Sequence, residues 1–168
     1  MLKPSKKPLI LGIILARSGS KTVKDKNIAL INGKPLIWYT VKEAIKSKVF
    51  DEIIVSTDSE KYKKISIKCG VSVPFLRPKK LSTGKTKAVD CLKYTLKRFE
   101  KIKKKKYHYI IELMCTNPLK TYTDIDKVIK ILIKKNPDTC IAVNRVYDNH
   151  PARVKKIING RIVDFVFK

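Results

Sequence analysis

The chain has 168 residues, of which 43% are hydrophobic and 32% charged, a balance that excludes global disorder and supplies enough chain for one domain with a core of its own. Its formal net charge of +25 rests on 33 lysines and 6 arginines, and it has two readings: a drift toward lysine on solvated helix faces, or an acidic partner. Nucleic-acid readout leans on arginine and is disfavoured by that weighting, and four widely spaced cysteines (Cys69, Cys91, Cys115, Cys140) with two histidines offer no zinc-ligand pattern.

Residues 1–8, with two prolines and three lysines, read as a flexible leader, and 9–168 as one domain. Leu9 to Ala16 is an unbroken apolar run of strand length, the pattern of a parallel strand covered on both faces. It is too short to span a bilayer, and the charged RSGSK that follows offers no processing site; with free thiols, this points to a cytoplasmic protein. A helix begins near Pro35 and carries apolar residues at 36, 37, 41, 44 and 45. EIIVST at 52–57 is the second strand, followed by a helix that Gly70 ends. The pair Asp58-Ser59 at that helix's start is read as its cap, in preference to Asp58 as a ligand.

A weaker third strand covers 71–76, then a loop to 86. Residues 87–103 form a helix with Ala88, Cys91, Leu92, Thr95, Leu96 and Phe99 on one stripe. A strand follows at 107–113, a polar loop, then a helix for which Thr123 is the expected cap, with Asp124 and Asp126 in its acidic first turn. TCIAVNRV (139–146) is a further strand, and the end of the chain forms two short strands around Asn159–Gly160. Alternating strands and helices define the fold class: three-layer α/β, a mainly parallel sheet with helices on both faces, Rossmann-like. Ligands bind such sheets beyond the carboxyl ends of the strands, which gathers three loops, 17–27, 77–87 and 114–121, on one edge.

The first loop presents Arg17 for bidentate grip on phosphate oxygens, Ser18 and Ser20 as hydroxyl donors, Gly19 for close backbone approach, and Lys21 and Lys26 as point charges. Gly84-Lys85-Thr86 ends like a Walker A loop, but Lys79 stands where that motif requires glycine, and GxGxxG is absent. Trp38 and Tyr39 are read as packing residues. The basic run KRFEKIKKKKYHY at 97–109 is read as a solvated helix end.

From these residues the chain resembles a known family. ILARSGSK…KDKN, IIVSTDSE, VPFLRPKKLS, MCTNPLKTYTDID and HPARVKKIINGRIVDF match in order the signatures of the CMP-sialic acid synthetases, the acylneuraminate cytidylyltransferases. The resemblance implies transfer of CMP from CTP to a nine-carbon 2-keto-3-deoxy sugar acid with release of pyrophosphate. It implies Arg17 and Lys26 as the catalytic cations on the triphosphate, a nucleotide site of residues 16–21 (from Ala16 to Lys21) with Lys26 and Asn27, and Arg77 beside the cytidine. It implies Asn117 and Lys120 on the sugar side with His150 nearby, and Mg2+ bridging phosphate oxygens. Departures are Thr22 for a glycine of the signature, and Met114 for a glutamine, which widens the expected sugar from sialic acid to its legionaminic or pseudaminic relatives. The family continues beyond the equivalent of VDFVFK with a dimer-forming element, further arginines and metal-holding acids, so the chain is expected to be C-terminally incomplete, either a fragment of a longer enzyme or a shortened descendant with weak or no turnover of its own, and a homodimer only with that element. Membrane partners are not expected. Two competing readings are another sugar-nucleotide nucleotidyltransferase and a basic nucleic-acid-binding module using the lysines at 103–106.

Overall fold

The computed structural model describes residues 7–20, 23–143 and 155–164. Its centre is β1 (Ile10–Leu15), whose apolar run is explained by what lies on either side of it. β4 (Glu52–Ser56) and β5 (Tyr109–Glu112) flank β1, both parallel to it, with Ile13 opposite Ile54 on one side and Glu112 on the other. Successive side chains of a strand point to opposite faces. Ile10 and Ile14 therefore join one cluster with Ile37, Val41 and Ala44 of α1 (Leu36–Ser47), Tyr62 of α2 (Glu60–Lys68), and Ile125 and Ile129 of α4 (Tyr122–Lys135). Leu11 and Ile13 join a second cluster with Ile54, Phe75, Tyr107 and Phe99 of α3 (Ala88–Lys103). Each such buried side chain stabilises the fold by about 1.5–3 kcal/mol. The three-layer α/β arrangement expected from the sequence is thus present.

The strand keeps a glycine in this run for a steric reason. A Cβ on Gly12 would lie 3.1 Å from the Phe50 ring and 3.4 Å from a Leu113 methyl. The amino end of β1 is fixed by Asp51, which accepts the Ile10 N–H at 2.7 Å.

Local signals decide the element boundaries. Ser59 caps α2 by accepting the Tyr62 N–H, so the cap is Ser59 and not Asp58, and Gly70 (φ 92°) ends the turn after it as expected. α4 opens two residues earlier than Thr123 would allow. Thr121 is its cap, in a reciprocal capping box with Asp124. Asp126 instead accepts the Ser47 hydroxyl at 2.6 Å, joining α4 to α1.

The strand expectations need correction in three places. Residues 71–76 make single parallel bridges, Ile54 with Ser72 and Thr57 with Leu76, because Pro74 lacks the N–H a continuous ladder requires. Residues 139–143 carry no strand, and 144–146 lie outside the described residues, as do Lys21, Thr22 and His150. An additional hairpin, β2 (Leu30–Ile31) with β3 (Lys34–Pro35), turns on Asn32 and Gly33, both with positive φ (47° and 72°). The expected terminal hairpin is present as β6 (Lys155–Ile158) and β7 (Arg161–Asp164).

Candidate active site

At the carboxyl edge of the sheet the three expected loops enclose a cleft of about 240 Å³. The first loop contributes Arg17, Ser20, Lys26 and Asn27; the second contributes Arg77, Thr83 and Thr86; Glu112 and Met114–Thr116 close the third side. Three cations thus face a space in which Glu112 is the one lining carboxylate among the described residues. That imbalance favours a polyanion.

Arg77 is the most constrained of the three. It is 4% exposed, yet its partners are neutral: Nε donates to Ser82 Oγ at 3.1 Å, and Nη1 makes two long contacts of 3.5 Å with the Ser56 carbonyl and hydroxyl. Burial pushes its pKa down, opposed by the Asp58 carboxylate. A guanidinium kept from water with so little compensation gains from an anion at its open side.

Arg17 lines the cleft with Nη1 donating to the Gly19 carbonyl at 2.6 Å, which aims the side chain along its own loop. Asn27, buried, donates from Nδ2 to the Arg17 carbonyl at 3.2 Å and so also holds that residue's backbone. Lys26 stands in a short 3-10 turn, residues 26–28. Ser20 lines the cleft and its N–H donates to the Ser18 carbonyl.

Other residues from the expected site lie elsewhere. Ala16 is fully buried in the core, its N–H donating to the Ser56 carbonyl at 3.0 Å. Ser18 donates both its N–H (2.9 Å) and its hydroxyl (2.8 Å) to Asp58, so neither group is turned to the cleft. Gly19 is exposed and a Cβ there would meet nothing nearer than Arg17 Nη1 at 3.8 Å, so no close approach requires a glycine. Asn117 is exposed outside the cleft lining. Lys120 directs its three N–H donors to Thr40 Oγ1 (2.8 Å) and the carbonyls of Met114 and Asn117 (2.7 Å each), and burial lowers its pKa. It organises the third loop from behind. Trp38 packs edge-on to Tyr39 with the Lys42 ammonium 4.8 Å from its ring centre, away from the cleft.

Sequence reasoning missed Thr83, Thr86, Cys91 and Glu112 as cleft residues. The hydroxyls of Thr83 and Thr86 share a 2.8 Å hydrogen bond, and the hydroxyl-rich LSTGKT was the available signal. Cys115 is buried and its thiol is pushed up to about 12 by burial, which removes it as a nucleophile. No group of three potential metal-ligating side chains occurs among the described residues. No helix among the described residues is long and apolar enough to cross a membrane.

A parallel sheet with a cationic cleft beyond its strand ends has the geometry of an α/β nucleotide-binding protein. The family model for cytidylyltransferases matches residues 11–158, and the chain belongs to that family. It is 36% identical over 157 residues to an N-acylneuraminate cytidylyltransferase of Streptococcus agalactiae, covering 92% of this chain and 36% of the relative. It is 33% identical over 154 residues to post-translational flagellin modification protein B of Campylobacter coli, covering 92% of this chain and 66% of that protein. The chain therefore spans between about one third and two thirds of the length of these relatives. Among solved structures it is similar to a CMP:2-keto-3-deoxy-manno-octonic acid synthetase complexed with CTP, with a TM-score of 0.62 and 20% identity over 76% of this chain and 48% of the other, a likeness of fold.

Proposed function

We propose that the cleft binds CTP and serves transfer of CMP to the anomeric hydroxyl of a nine-carbon 2-keto-3-deoxy sugar acid of the sialic, legionaminic or pseudaminic type. The observation that carries this reading is Arg77: a buried guanidinium with neutral partners only, opening into the same cleft as Arg17 and Lys26. In the reaction the sugar oxygen bonds to the α-phosphorus, the bond to the bridging oxygen breaks, pyrophosphate leaves with the electron pair, and the hydroxyl proton passes to water. Negative charge gathers on the phosphoryl oxygens and on pyrophosphate, so fixed cations lower the barrier without covalent catalysis. Arg17 and Lys26 take the triphosphate, and Arg77 the nucleoside side of it.

Magnesium would enter with the nucleotide and would help neutralise the phosphate charge, with Glu112 the one carboxylate lining the cleft among the described residues that could help hold it. The sialic-acid type is supported by the N-acylneuraminate relative and the legionaminic and pseudaminic types by the sequence resemblance, not by side chains: Asn117 lies outside the cleft lining and Lys120 is committed to its loop.

Titration calorimetry with CTP, UTP and ATP in magnesium tests the reading. CTP binds tightest, and Arg17→Ala weakens it at least about tenfold, the loss of one charge-assisted contact. A preference for UTP or ATP, or CTP binding indifferent to Arg17, refutes it. Pyrophosphate release with a panel of nonulosonic acids identifies the acceptor.

A further inference from the structure

The loop that carries Arg17 and Lys26 has internal bonds, among them Arg17 Nη1 to the Gly19 carbonyl and Asn27 Nδ2 to the Arg17 carbonyl, but like charges within it repel. It is also held from outside, by the segment that follows β4. At its near end Asp58 accepts the Ser18 N–H on Oδ1 (2.9 Å) and the Ser18 hydroxyl on Oδ2 (2.8 Å). At its far end Asp25, in the left-handed region at φ 53°, accepts the Tyr62 hydroxyl at 3.2 Å and the Lys61 ammonium at 2.7 Å. Tyr62 is itself fully buried in the larger core cluster. Both ends of the loop are thereby referenced to the β4–α2 junction, whose helix is capped independently by Ser59.

We infer that Asp58 is a positioning residue for the nucleotide site: it clamps Ser18 so that Arg17 enters the cleft, with Asp25 and Tyr62 as the second clamp. The inference rests on reading the cleft as a triphosphate site. A carboxylate beside such a site is costly on charge alone, because it opposes the incoming phosphates. Its two effects have opposite signs. If Asp58 acts only through its charge, its removal tightens CTP binding; if it clamps, removal weakens it.

Calorimetric titration of CTP into the whole chain and its variants, with thermal melting alongside, separates the two. Asp58→Ala weakens CTP by about tenfold or more, the scale of two lost bonds to a charged group. Asp58→Asn keeps an acceptor for the Ser18 N–H and can donate to its hydroxyl, and it returns affinity to within about threefold of wild type. Tyr62→Phe weakens binding about threefold through the second clamp. Folded Asp58→Ala that binds CTP as tightly as wild type, or more tightly, overturns the inference. If Asp58→Ala does not fold, Ser18→Ala decides: about threefold weakening supports the clamp and unchanged affinity overturns it. Wild-type protein that fails to bind CTP refutes the triphosphate reading instead. The clamp is then read from hydrogen exchange at the Ser18 amide, which Asp58→Ala accelerates at least about tenfold; an unchanged rate overturns it.

Discussion

Arg77 sets function against stability at one position. Its guanidinium is desolvated without a carboxylate in hydrogen-bond contact, so the empty fold carries a penalty that bound anion would relieve. Arg77→Met, of similar length and apolar, is expected to leave the unliganded protein as stable as wild type or more stable by about 1 kcal/mol. The same substitution is expected to abolish the rise in melting temperature produced by CTP, which thermal scans with and without nucleotide would show. Glu52 presents the opposite case. Partial burial raises the pKa of its carboxyl, but Lys103, Lys105 and the Tyr107 hydroxyl converge on it at 2.7–2.8 Å and outweigh that effect, holding it well below the usual carboxylate range, at about 2. A depressed carboxyl stabilises the fold above its unfolded pKa of about 4.3 and loses that contribution as pH falls through the folded value. The stability difference between wild type and Glu52→Gln in denaturant titrations should be full at pH 6, begin to shrink near pH 5 and vanish only below about pH 2. Arg17 and Lys26 were legible as cleft residues because packing alone gives a buried strand no reason to run straight into a cationic loop, whereas Asn27 was reached only through the family resemblance. Asp58 was not, since Asp58 and Ser59 are equally good caps as residue types and only the fold brings Ser18 beside one of them. Lys120 was legible as a charge but not in its destination, because the carbonyls it binds have no signature in side-chain identity.

Among the elements, α4 shows how finely a helix start can be misplaced. Thr121 and Thr123 both precede acidic residues, but only Thr121 has its side chain accepting from the third helical residue while Asp124 accepts the Thr121 N–H at 2.9 Å. Thr121→Ala should cost about 1 kcal/mol of unfolding free energy and Thr123→Ala less than about 0.5, measured by urea denaturation. The hairpin at Asn159–Gly160 is readable from sequence and the one at Asn32–Gly33 is not, although both place an asparagine and a glycine at positive φ. The difference lies in the flanks. The early hairpin has two residues per strand, one of them Pro35, and its edge leads directly into α1, so no alternation announces it. The segment 71–76 errs the other way: Val71, Val73 and Phe75 are buried as strand residues would be, but Pro74 denies them a ladder.

For the molecule as a whole, the sheet keeps two kinds of chemistry apart. The cleft occupies the carboxyl edge, whereas Lys103, Lys105 and Lys106, the core of the basic run, pair with Glu52 and Glu100 near the strands' amino ends. Sites so separated act additively. The double substitution Lys103→Gln with Lys105→Gln should lower stability while leaving CTP affinity within about twofold, measured by melting and calorimetry in parallel. A nucleic-acid module working through this run would instead lose its ligand. The overall architecture was legible because β1 is apolar on both faces, which only a doubly covered strand tolerates. The cleft's charge was legible too, but its wall of Thr83, Thr86 and Cys91 depends on how the second loop folds back over the sheet.

Lys120 gives this lysine-rich surface an internal standard. Most lysines among the described residues project into solvent, whereas this one is coordinated by three oxygens and shielded behind the third loop. Under limiting treatment with an amine-acylating reagent and peptide mapping by mass spectrometry, Lys120 should therefore be among the last to react, and its modification should mark the moment at which that loop opens.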